Sequence, residues 1–406
     1  MVDGHTPIQH RSLHAVTESP QKSWKSVRGC QDSQKPLSAV KSPEAEEQVL
    51  LRIYPQLAAG VPWMPIGSFP TPVVRLENLG QSIGVRHLYV KCDDACATPY
   101  GGNKIRKLEF LLGDAVRNKA QTLFTGNVIG SHFSLATAIY GQRLGMRVVL
   151  FLQGQPTSKS VKDILLLEYF HGAKLVHVTA RTRARAERCQ RWANVLRRPY
   201  HLPVGGTCPL GDLGFISAAF ELKAQIQQGL LPEPDYLFVA VGSMGTFCGL
   251  WLGCRAAGLN TMVIGVNVSR ATPKRGVVII DEMVRYVRAI APAFPKVVPR
   301  EEELHILQGF VGEGYGHYTS KSRDAIALME ATEKIRLDGT YSGKTLAAAM
   351  EYLQCNGRKK GKAVLFWNTY NSNDVFHPIV NVDYHVLPKE FHQYFEMPEQ
   401  EFELPR

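Results

Sequence analysis

The sequence predicts an α/β protein built from two mostly parallel sheets, each flanked by helices. Three observations carry that expectation. Short β-branched and aromatic runs alternate with amphipathic stretches along the middle of the chain. The strand-like runs are apolar along their whole length, the pattern of strands covered on both faces. The stretch from 49 to 390 is also longer than one hydrophobic core accommodates, which implies two sheets.

Taken in order, residues 1–48 hold Ser, Gln, His, Pro and Lys with no apolar period, and read as a disordered leader. Strands are expected at 87–91 (HLYVK), 122–125 (TLFT), 147–152 (RVVLFL), 174–179 (KLVHVT), 236–241 (YLFVAV), 262–268 (MVIGVNV) and 363–367 (AVLFW). Helices are expected at 104–117, 132–144, 160–171, 184–197, 213–228, 246–257, 319–336 and 343–355, where apolar residues recur at the helical period. The end, MPEQEFELPR, reads as a loosely attached tail.

Composition narrows the class. The 406 residues are 45% hydrophobic and 20% charged, which excludes a disordered chain, a collagen and a coiled coil. The longest apolar runs, such as 236–241, are strand-sized, far short of the roughly 18 residues a bilayer span needs, so no membrane partner is expected. The N-terminus lacks the apolar stretch of a secretory signal. Eight scattered cysteines read as reduced thiols of a cytoplasmic protein. Cys92 and Cys96 have no second pair at metal spacing, so no metal is expected. The formal charge of +11 is partly local, with seven arginines between 181 and 198 spaced for the wet face of a helix. No aromatic platform or zinc finger accompanies them, so no nucleic acid is expected.

In doubly wound sheets ligands bind beyond the carboxyl ends of the strands, which directs attention to the strand-to-helix junctions. At 236–250 a strand runs through Gly242-Ser243-Met244-Gly245-Thr246 into a helix. Free N–H groups, a positive dipole end and two hydroxyls there suit one phosphate monoester. The alternative is a glycine turn with no ligand. At 98–110, Asn103 precedes Lys104 at a helix start, where positive potential and the neighbouring Lys107 would free an amine for Schiff-base chemistry; the alternative is a surface lysine. At 122–137, Ser131 and His132 open a helix, either to meet a carboxylate or merely to cap it. VGEGYGHY (311–318) and DGTYSGK (338–344) put Tyr315 and Tyr341 among glycines, against a planar ligand or against ordinary loop packing.

Taken together these segments resemble the pyridoxal-phosphate enzymes related to D-cysteine desulfhydrase and 1-aminocyclopropane-1-carboxylate deaminase, which are fold-type II proteins. GGNKIRKLEFLL, FPTPVVRLENLG (69–80), YVKCDD (89–94), YHLPVGGTCPLGDLGF (200–215), VGSMGTFCGL and DGTYSGK stand in the family's order, over roughly 49–375. The resemblance implies a cofactor, pyridoxal 5′-phosphate, joined to Lys104. Ser131 would meet the substrate carboxylate and Cα, with His132 beside it. Gly242, Ser243, Gly245 and Thr246 would hold the phosphate, and Asn103 would also bind the cofactor. Tyr315 and Tyr341 would flank cofactor and substrate, and Ser342 would face the pyridine nitrogen, with Thr369 on the late loop. A homodimer is the family habit. The implied division is a large domain of 49–106 and 207–390, a small one of 107–206, and a tail at 391–406.

The chain departs from the family where Ser-Asn-His becomes Ser131-His132-Phe133, where Met244 replaces a glycine, and at Asn368-Thr369-Tyr370-Asn371. Ring-opening deaminases place Glu after the tyrosine and Leu in the late loop; desulfhydrases place hydroxyls, as Ser342 and Thr369 are. A neutral hydroxyl would leave the ring nitrogen mostly unprotonated and the electron sink shallow, which suits α,β-elimination of D-cysteine to pyruvate, ammonia and sulfide. Ring-opening deamination, a lyase or β-replacement enzyme for a larger amino acid, and a weakly active cofactor-binding protein remain the alternatives.

Overall fold

The computed structural model describes residues 48–179, 198–355 and 361–400. The leader to residue 47, the arginine-rich 184–197 and the end from 401 lie outside the described residues. Helices α1 (Val49–Ile53), α2 (Pro55–Gly60), α3 (Glu77–Ile83), α4 (Lys104–Arg117), α5 (His132–Arg143), α6 (Lys159–Phe170), α7 (Pro209–Gln227), α8 (Gly245–Ala256), α9 (Pro273–Ile290), α10 (Ser320–Glu333), α11 (Ser342–Gln354) and α12 (Gln393–Glu396) surround the strands. The strands are β1 (Val73–Arg75), β2 (His87–Cys92), β3 (Thr122–Val128), β4 (Arg147–Gln153), β5 (Lys174–Val178), β6 (Pro199–Leu202), β7 (Tyr236–Val241), β8 (Met262–Asn267), β9 (His305–Leu307) and β10 (Ala363–Asn368).

The apolar runs become two sheets because each must be covered on both faces. One has six strands in the order β1-β2-β10-β7-β8-β9, the other four in the order β5-β4-β3-β6. Every pairing is parallel except β1 with β2, where Val73 faces Lys91. The carboxyl ends of β2, β7 and β10 therefore open together onto 93–103, 242–246 and 369–371, and those of β3, β4 and β6 onto 129–132, 154–158 and 203–207.

Every run expected as a strand forms one. Several elements went unforeseen. The longest is α9, which Thr272 caps by accepting from the Arg275 N–H and which buries Gly276, Ile280, Met283, Val284 and Val287. β1, β6 and β9 are only three or four residues long. α7 starts at Pro209, four residues before the expected 213, because Cys208 caps it with Pro209 in the first turn.

The end of the chain corrects a second expectation. Phe391 is 0% exposed and Tyr394 6%, in the same apolar cluster as the four-stranded sheet. Val375, Ile379 and Leu387 join them there, in a cluster that holds the smaller sheet's residues together with Cys96, Tyr100 and Ile105. Tyr394 hydroxyl meets His177 Nε2 at 2.7 Å and Lys162 pairs with Glu399 at 2.6 Å. Gln400 accepts from the Tyr318 N–H (2.8 Å) and donates to the Gly316 carbonyl (3.0 Å), so the segment to residue 400 is fastened rather than loose.

Beneath α4 lies a buried ionic network. Arg106 donates to both carboxylate oxygens of Asp93 (2.9 and 2.7 Å) and to Glu221 on α7 (2.8 Å). Lys91 pairs with Glu221 and donates to Gln225 (2.8 Å), and Trp367 donates its indole N–H to Asp93 (2.8 Å). The Phe69 ring covers the Arg106 guanidinium at 4.2 Å. Glu109 accepts from Trp63 and from the Ile66 and Gly67 N–H groups, each at 2.9 Å. These contacts fix the axis of α4, and so the place of Lys104 at its first turn.

Candidate active site

Lys104 is reached by a loop that passes hard against the end of β10. A Cβ on Gly101 would stand 2.3 Å from the Asp94 carbonyl, and Gly102 adopts φ +91 with 2.8 Å to the Tyr370 carbonyl, so neither position has room for a side chain. Gly101 N–H donates to Asn371 Oδ1 (2.7 Å) and Asn103 N–H to the Thr369 carbonyl (3.3 Å). Thr369 thus meets the lysine segment through its backbone. Burial lowers the Lys104 amine to about 7; the Lys107 charge adds to this, and Asp212 and Asp338 oppose it. Burial, rather than the helix start emphasised by sequence, is the main cause, and much of the amine is unprotonated at neutral pH.

The turn at 242–246 has donors that could hold an anion. Met244 sits at φ +77, the left-handed conformation that explains why glycine is commoner there, and no side chain caps α8. Its first N–H groups are left for a ligand, with the Ser243 and Thr246 hydroxyls beside them. Asn103 donates to Thr246 Oγ1 (3.2 Å), tying the lysine segment to the cradle. Across it, Thr207 donates to Ser243 Oγ (2.7 Å), and the fully buried Lys107 donates to Thr207 (3.1 Å) and pairs with Asp212 (2.8 Å). Ammonium, hydroxyls and uncapped N–H groups around a glycine turn fit a phosphate monoester. Lys107 was expected only to assist Lys104; Asp212, 105 positions away, was not anticipated.

Gly245 leaves no room for a methyl group, because a Cβ would stand 2.2 Å from Asp212 Oδ1 and 2.4 Å from Lys107 Nζ. Gly245→Ala should separate that pair. A charged hydrogen bond is worth about 1.5–3 kcal/mol, so pyridoxal phosphate affinity should fall about tenfold or more, measured by titration of the apoprotein. Unchanged affinity would reduce this loop to a turn.

On the facing side, Ser131 is the N-cap of α5, accepting from the Ser134 N–H at 3.3 Å. The capping role is therefore real, and a hydroxyl that accepts still has a proton to donate. His132 Nδ1 meets the Tyr100 hydroxyl at 2.5 Å, and its ring packs edge-on against Tyr370, 5.5 Å away. Burial lowers the imidazole pKa, with Lys104 adding to the effect and Asp338 opposing it, which favours the neutral ring. Tyr315 and Tyr341 join hydroxyl to hydroxyl, and the Tyr341 ring lies 3.2 Å from where a Gly242 Cβ would be. Burial raises Tyr315 to about 12 and Tyr341 well above its ordinary value, so both stay protonated near neutrality. Lys104 is the better base.

Ser342 opens α11 and is 1% exposed. Its hydroxyl donates to Asp338 Oδ1 (2.6 Å) and accepts from the Asp338 N–H (2.8 Å). Asp338 also accepts from the N–H groups of Thr340 (2.9 Å), Tyr341 (2.7 Å) and Ser342 (2.9 Å). The isolated hydroxyl expected at 342 is thus half of a carboxylate–hydroxyl pair. Asp338 and Tyr100 were both missed. For Asp338 a signal existed, since an aspartate just before a helix start can cap it.

A cavity of about 840 Å³ adjoins this cleft, sharing Tyr318 and Asp338 with it and continuing past Tyr370, Ile326, Arg336 and Phe376.

Comparison with known proteins agrees with this geometry. The profile of the family described as "Pyridoxal-phosphate dependent enzyme" matches residues 66–369. The D-cysteine desulfhydrase of Salmonella schwarzengrund is 30% identical over 326 residues, covering 77% of this chain and 95% of that enzyme. That of Klebsiella pneumoniae is 31% identical over 320 residues, covering 76% and 94%. Among solved structures, an ACC deaminase homologue superposes with a TM-score of 0.68 at 26% identity, over 82% of this chain and 97% of that one. A fungal L-serine ammonia-lyase from Rhizomucor miehei matches in fold, with a TM-score of 0.54 at 16% identity.

Proposed function

Since the chain belongs to the pyridoxal-phosphate dependent enzymes, and is a lyase of fold-type II, we propose that its reaction is α,β-elimination of D-cysteine, which yields pyruvate, ammonia and sulfide. The carrying observation is the likeness to two D-cysteine desulfhydrases over nearly their whole length. The bound cofactor supplies an electron sink for charge developing at the substrate Cα. The chain's own residues do the rest. The cradle at 242–246 holds the phosphate, and Lys104 anchors the cofactor and moves the Cα proton at Nζ. Ser131 donates to the substrate carboxylate, with neutral His132 beside it as a polar wall. Tyr315 and Tyr341, joined hydroxyl to hydroxyl, flank the cofactor and substrate on the side of Gly242. We place the enzyme in the cytoplasm as a homodimer, as the reduced cysteines and the family resemblance suggest. Its two domains are divided near 106 and 206, with 375–400 counted on the smaller one.

A panel of D-cysteine, L-cysteine, β-chloro-D-alanine and 1-aminocyclopropane-1-carboxylate, scored for keto acid and sulfide, tests this reading. D-cysteine should exceed the cyclopropane by at least about tenfold in kcat/KM, a difference of about 1.4 kcal/mol in transition-state binding. Preference for the cyclopropane would instead establish a ring-opening deaminase. One observation favours a second reading: the adjoining cavity of about 840 Å³ has space for a substrate side chain longer than that of cysteine. Turnover of longer β-substituted amino acids, with D-cysteine inert, would select it.

A further inference from the structure

A hydroxyl has one proton and two lone pairs. At Ser342 the proton goes to Asp338 Oδ1 (2.6 Å) and one lone pair accepts the Asp338 N–H (2.8 Å). What remains to offer a ligand is a single lone pair. An acceptor of this kind cannot bond a neutral pyridine nitrogen, which is itself an acceptor; it bonds only the protonated form. We propose that Asp338 is a positioning residue that, by taking the Ser342 proton, makes that hydroxyl an obligate acceptor and holds the cofactor's ring nitrogen protonated. This rests on the reading that Ser342 faces that nitrogen.

The surroundings favour the same state. Asp338 is held by three N–H groups and one hydroxyl, so its carboxylate cannot turn away. Its negative charge reaches Lys104, His132, Tyr315, Tyr341, Tyr370 and Lys344. Of these groups only the two amines carry opposing charge, since the phenols and the imidazole are held neutral, and Arg336 lines the same cavity as Asp338. Burial lowers Lys104 to about 7 and Lys344, which donates to the Val311 carbonyl, to about 8. At pH 8 Lys104 is largely and Lys344 about half discharged, and above pH 8 Asp338 dominates. The shallow sink expected of a lone hydroxyl is therefore replaced by a deep one, reached through a relay rather than by direct carboxylate contact. Any preference for elimination over ring opening then comes from the substrate pocket and not from ring electronics.

The test is 15N NMR at pH 8 of the holoenzyme reconstituted with pyridoxal phosphate labelled at the ring nitrogen. The wild-type resonance should lie in the upfield range of a protonated ring. Asp338→Asn turns an amide N–H toward Ser342 Oγ and frees the serine proton, so the resonance should move by most of the protonated-to-neutral difference. Ser342→Ala removes the acceptor and should move it the same way. A wild-type signal in the neutral range overturns the proposal, as does a Ser342→Ala signal at the wild-type position. If Asp338→Asn does not fold, those two measurements still decide. Borohydride fixation followed by peptide mapping is run beside each sample. Failure to find the cofactor on Lys104 would defeat the cofactor seat, which is a separate outcome from a misplaced ring proton.

Discussion

Lys104→Met is expected to abolish covalent retention of pyridoxal phosphate and to cut turnover by at least about 10²–10⁴-fold, the usual worth of a positioned acid–base group. Borohydride should fix the cofactor mass onto the Lys104 peptide of the native protein and onto no peptide of the variant. Label on Lys107 would contradict the structure, where that ammonium is fully buried and paired with Asp212 at 2.8 Å. The same substitution has a second signature. The Lys104 amine is lowered from its ordinary 10.5 to about 7, so the folded protein binds this proton more weakly than the unfolded chain does. Native stability therefore rises with pH between about 7 and 10.5, and the penalty is fullest below 7. Without cofactor, the variant should be at least as stable as the native protein near pH 6, with the gap closing toward pH 10.5. A variant less stable at pH 6 than at pH 10, relative to native, would show that the amine is not held in its neutral form.

Much of this was legible in sequence, for identifiable reasons. The start of α4 is local information: glycines that allow a tight pass, an asparagine and then a helical apolar period, and the helix begins at Lys104 as expected. The cradle is equally local, being a strand, a glycine turn and a helix start. The motif residues beyond the lysine are a different matter. Arg106 and Glu109 face away from the chemistry: Arg106 bonds Asp93 and Glu221, and Glu109 gathers Trp63, Ile66 and Gly67. The resemblance identified these positions without saying what they touch. α9 was missed although its buried residues recur at helical spacing, because charged residues between them break the apolar run. The packed end at 391–400 was missed for the opposite reason. Phe391 and Tyr394 are two anchors in a polar segment, and nothing in their spacing names the sheet that covers them. Pairs such as Lys107 with Asp212 or Tyr100 with His132 are contacts of the folded chain and have no local signature.

Breaking the network under α4 should produce the largest loss of stability. Arg106→Met keeps the volume of the side chain but leaves Asp93 and Glu221 buried with Lys91 as their sole cation in the cluster. Removing one partner of a buried ion pair costs about 3–5 kcal/mol, because the stranded charge keeps its desolvation penalty. Glu221→Gln strands Arg106 and Lys91 in the opposite sense and should cost a similar amount. Combining the two should cost less than the sum, since the second change removes part of the imbalance created by the first. Acid gives an independent check. Burial pushes the Glu221 carboxyl up, but Arg106 and Lys91 outweigh it and hold it at about 2, below its ordinary 4.5. That contribution is fully present above pH 4.5 and is lost as pH falls through 2. With Arg106 gone the carboxyl rises, so acid unfolding of Arg106→Met should begin at a higher pH than in the native protein. Because Arg106 lies two residues past Lys104 on the same helix turn, cofactor affinity should fall together with stability. An unfolding midpoint unchanged by Arg106→Met, in denaturant and in acid, would mean that the network merely replaces packing of equal worth, and that the place of Lys104 is fixed by apolar contacts of α4 alone.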